Sequence, residues 1–85
     1  MLEVSSLKSK GFVVNIDGEE IARANNIERL AQAVFLEAPE EVEHYVVNNG
    51  EVKIDLSYDD EINFKEQLAI LHYKENGEMF FKEDE

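Results

Sequence analysis

The sequence predicts an α+β fold: antiparallel sheet, built from two Asn-Gly hairpins and one N-terminal strand, with a helix packed on one face. Three observations predict it. Asn49-Gly50 joins two alternating apolar runs across Val42 to Tyr58. Asn76-Gly77 joins a second such pair, and a helical stripe from Ile27 to Phe35 supplies the covering layer. At 85 residues the chain forms one domain, residues 1–85, with a modest core.

Asn-Gly between alternating apolar runs is the strongest short-range hairpin signal, because both residues of a type I′ turn need positive φ. The turn sets Val47 against Val52, Tyr45 against Ile54 and Glu43 against Leu56. One face then carries Tyr45, Val47, Val52, Ile54 and Leu56. The other carries His44, Val46, Asn48, Glu51, Lys53 and Asp55, which fits a sheet covered on one side. The remaining elements follow in order. Residues 2–9 read as a short helix on Leu2, Val4 and Leu7, ended at Lys10-Gly11. Phe12 to Ile16 is rich in β-formers and reads as a strand, and Asp17-Gly18 is a turn. Asn25 or Asn26 caps a helix with Ile27, Leu30, Ala31, Val34 and Phe35 at i, i+3, i+4, i+7 and i+8. Its start is open as far back as Glu19, and Pro39 ends it.

Two alternatives compete downstream. Leu68 to Glu75 and Glu78 to Lys82 read as a hairpin around Asn76-Gly77. Residues 60–75 also read as a helix with an acidic first turn, with Phe64, Leu68 and Leu71 on its inner face and Gly77 behind its end. The hairpin is preferred, although short apolar runs are ambiguous by periodicity alone.

Charge is the dominant compositional feature. Twenty Asp and Glu oppose eight Lys and Arg, a formal net charge of −12. A hydrophobic fraction of 44% belongs to a folded domain, not to a disordered acidic tail. Such a field repels nucleic acid and acidic membranes, and it attracts basic protein surfaces. The same charge also serves plain solubility. No cysteine is present, and no signal-like or membrane-spanning segment is read, so the expected location is cytoplasmic.

Catalytic patterns are missing, and the chain is not read as an enzyme. His44 and His72 have no ligand neighbours at helical or strand spacing, and Ser5, Ser6 and Ser57 have no local base. Asp55, Asp59, Asp60 and Glu61 lack EF-hand spacing. No glycine-rich phosphate loop exists, so no cofactor and no metal are expected. What remains is binding by acids on a rigid frame. They cluster at Asp17/Glu19/Glu20, Glu37/Glu40/Glu41/Glu43, Asp59/Asp60/Glu61 and Glu83/Asp84/Glu85. Carboxylates along a strand edge and its following loop can stand in for a row of phosphates. Each cluster is equally a solvated rim.

In this order of elements, and in Ala69, Asn76-Gly77-Glu78, Lys82, His44 and Glu28, the chain resembles the phage uracil-DNA glycosylase inhibitors. That family inserts an acid-serine-isoleucine strand edge into the enzyme's DNA groove. The corresponding stretch here is Asn15-Ile16-Asp17-Gly18, which leaves Asp17, Glu19 or Glu20 to serve. The family's helix begins Pro-acid-acid-Val-acid-acid. A local match, Pro39-Glu40-Glu41-Val42-Glu43, lies downstream of the ungapped position, and using it leaves one strand too few.

The resemblance implies a monomeric DNA mimic, phage-encoded and acting in the infected host cell. It would form a one-to-one complex with a basic DNA-binding protein, uracil-DNA glycosylase first. The implied partner-binding acids are Asp17, Glu19, Glu20, Glu28, Asp59, Asp60 and Glu61. An implied apolar pocket for the enzyme's wedging leucine involves Ile27, Leu30, Val34, Leu56 and Leu71, which are core residues by pattern alone. The alternatives are a DNA mimic against another nuclease or repressor (restriction or CRISPR), and a small acidic interaction module.

Overall fold

Three strands, rather than a helix and a strand, open the chain. A computed structural model describes residues 1–8 and 10–75. Strand β1 spans Leu2–Leu7, β2 Gly11–Ile16 and β3 Glu19–Ala24. Helix α1 follows at Ile27–Glu37, then α2 at Pro39–Val46, strand β4 at Lys53–Asp55 and α3 at Tyr58–Glu75. The four strands form one sheet in the order β3-β2-β1-β4. The α+β class holds, but the sheet is mixed: β4 runs parallel to β1, with Val4 beside Ile54.

The expected N-terminal helix is β1. Leu2 and Val4 alternate with Glu3 and Ser5, and that period places both leucine and valine on the core face, 0% and 1% exposed. Leu2 pairs with Ile16 and Val4 with Val14. Asp17 and Gly18, at φ 53° and 86°, are the two left-handed residues of the tight β2–β3 turn. The chain beyond Glu19 therefore continues as strand, not as an early start of α1. Val14 faces Ala22 and Asn15 faces Glu20, leaving Ile21 as the extra residue of a bulge.

Helix α1 forms where its pattern places it. The Asn26 side chain accepts a 2.8 Å bond from the Arg29 N–H, and Ile27, Leu30, Ala31 and Val34 are buried.

The central hairpin is not formed. Residues 39–46 are α2, with Pro39 in its first turn beside Glu40 and Glu41, and with Val42 and Tyr45 buried. Tyr45 and Val47 thus do not face Ile54 and Val52 across a turn. Asn49 adopts φ 52°, but its role is to close a helix. The Glu43 carbonyl accepts from Val47 and Asn48, and the His44 carbonyl accepts from Gly50 at 2.8 Å. The alternation that suggested a strand coexists with a Val42, Tyr45, Val46 helical spacing, and proline with two acids decides for helix.

The competing helical reading of residues 60–75 is the one realised. Ser57 Oγ accepts from the Asp60 N–H at 3.2 Å, Asp59, Asp60 and Glu61 fill the first turn, and Phe64 and Leu68 are fully buried. The first arm of the second hairpin is therefore helix. Asn76-Gly77 and the arm Glu78 to Lys82 lie outside the described residues.

The core sits between one sheet face (Leu2, Val4, Val14, Ala22) and the three helices. Helix α1 touches β2 and β3 on one side and α3 on the other. Apart from the Tyr45 phenol, no polar or charged side chain is buried among the described residues, and no helix among them is long and apolar enough to cross a membrane.

Candidate acidic binding surface

The seven sequence-predicted acids fall into two groups at opposite ends of β3. Phe12 pairs with Ala24 at one end and Ile16 with Glu19 at the other. Six strand residues separate the ends by about 20 Å.

The first group surrounds an open cleft where α1 and α3 begin. Glu28 and Asp60 line it together with Phe12, Asn25, Asn26, Ile27 and Asn63. Two elements far apart in sequence meet here because α1 packs along α3. Both helices are capped by their own side chains, Asn26 and Ser57. The carboxylates of Glu28 and Asp60 are therefore not needed as caps. Among the described residues neither forms an ion pair with a lysine or arginine. Each also favours its own helix electrostatically, since acids in a first turn oppose the positive end of the helix dipole.

Helical rotation divides the triplet at the start of α3. Asp60 faces the cleft, and Asp59 is exposed. Glu61 acts on the neighbouring Tyr45. Burial pushes the Tyr45 phenol up to about 12, and the nearby Glu61 charge adds to the rise. Lys65 sits over the Tyr45 ring at 5.0 Å and donates to Asn49 Oδ1 at 3.2 Å.

The second group is the β2–β3 turn. Asp17 binds the Met1 ammonium at 2.8 Å, and this hydrogen bond holds the amine above its ordinary pKa. The Glu20 carboxylate accepts from Arg23 at 2.8 and 3.1 Å, which holds its pKa low and that of Arg23 high. Glu19 has no such partner among the described residues. Around Met1, Glu41, His44 and Glu51 line a shallow depression.

Three of the five apolar positions of the implied pocket are buried core residues. Leu30 and Val34 are 0% exposed and Ile27 is 5% exposed, all inside the core cluster. Leu56 and Leu71 are half-buried and pack against it. Ile27 also lines the cleft at the starts of α1 and α3.

Phe12, Asn25, Asn26 and Asn63 were not among the sequence-predicted site residues. Asn63 enters only when residues 60–75 are read as helix. Phe12 reads as a strand residue, and nothing in the sequence joins it to α3. Glu41 and Glu51 sit beside the turn because α2 returns the chain there. No family model, no curated protein and no solved structure matches the chain.

Proposed function

We propose that the protein is a small acidic binding domain that engages a basic protein surface of the kind that grips nucleic-acid phosphates. It acts in the cytoplasm as a DNA mimic, and a uracil-DNA glycosylase is the first target to test. The observation that carries this reading is the cleft between the starts of α1 and α3, where Glu28 and Asp60 meet without a cationic partner among the described residues. In a chain of net charge −12, such carboxylates attract Arg and Lys side chains and speed encounter with them. The apolar flank of Phe12 and Ile27 suits the aliphatic stem of a long basic side chain.

A second support is local. Pro39-Glu40-Glu41-Val42-Glu43 begins helix α2, as a similar motif begins a helix in the inhibitor family. Neither hairpin contributes support: the central one is replaced by α2 and β4, and the second is not formed over its first arm.

The ion pairs at Asp17 and Glu20 divide the labour between the two ends. Glu28 and Asp60 are the stronger candidates for contact, and Asp17 and Glu20 serve partly within the fold. The test is a binding series against a bacterial uracil-DNA glycosylase at rising salt. The expected result is tight binding at low salt, weakened by Glu28→Gln with Asp60→Asn more than by Asp17→Asn with Glu20→Gln. Equal binding by all variants would remove the cleft from the account.

A further inference from the structure

We draw no further inference here: the strongest candidate, the groove between edge strand β3 and helix α1 that Arg23, Arg29, Ala33 and the exposed Leu36 line, carries nothing, because nothing in the structure shows what covers it.

Discussion

Replacing Phe64 by alanine tests the architecture at its most sensitive point. The ring is 0% exposed and is the largest fully buried side chain, and its centroid lies 6.3 Å from that of Tyr45 at 31°. Removing a buried phenylalanine costs about 3–5 kcal/mol through lost burial and the cavity left behind. Loss of an aromatic pair of this geometry contributes about 0.5–1.5 kcal/mol within that figure. The upper half of the range applies, because the surrounding core residues are held on separate elements and cannot readily collapse inward. An 85-residue domain has about 4–13 kcal/mol of stability in total, so the variant should lose much of it. Equilibrium urea unfolding followed by circular dichroism measures the change, with the exposed Glu66→Ala as a control expected within about 0.5 kcal/mol. Were residues 60–75 a polar link and a strand, Phe64 would lie near the surface. A loss below about 1 kcal/mol would refute the packing of α3 described above.

Asn49 and Gly50 separate a helix end from a hairpin. Asn49 alone has positive φ, so Asn49→Ala should cost about 1 kcal/mol and Asn49→Gly very little. Gly50→Ala should be mild, because the nearest atoms the added methyl meets belong to the exposed His44 ring, which can swing away; a type I′ turn would make it as costly as the change at Asn49. Tyr45 supplies a pH prediction. Its folded pKa stands above the ordinary value of 10.0, at about 12, so the stabilisation is fully present below pH 10 and is lost as pH rises toward 12. The phenolate absorbance removed by Tyr45→Phe should therefore titrate near pH 12, and a component near pH 10 would contradict the burial. Glu20 runs the other way: its pKa is lowered by Arg23, so its small contribution exists above the ordinary carboxylate range and fades as pH falls through the folded value. Arg23→Ala should return the Glu20 carboxyl to its ordinary titration in an NMR pH series, and no movement would mean that the pair is not formed in solution.

Local signals and long-range ones were not equally legible. Asn26, Ile27, Leu30, Ala31 and Val34 combine a cap with a full helical stripe, and α1 forms there. Asp17-Gly18 turns because both residues accept positive φ. Asn49-Gly50 offers the same chemistry, yet the outcome depends on what precedes it. Pro39, Glu40 and Glu41 start a helix, and Asn49 then ends it. Leu2 to Leu7 has too few residues to separate period 2 from period 3.6, and pairing with β2 decides. The parallel contact between β1 and β4 joins Val4 to Ile54 across fifty residues, and no local pattern announces it. The acidic character was plain from composition. The meeting of Glu28 with Asp60 required the helical reading of residues 60–75 and the packing of α1 on α3.

The most direct measurement of the proposed function is a uracil-excision assay, in which uracil-containing DNA is incubated with a bacterial uracil-DNA glycosylase in the presence of increasing amounts of this protein. The DNA-mimic account predicts that excision is blocked at near-stoichiometric protein, and that Glu28→Gln with Asp60→Asn relieves the block. Full excision at large molar excess would contradict the assignment to that enzyme.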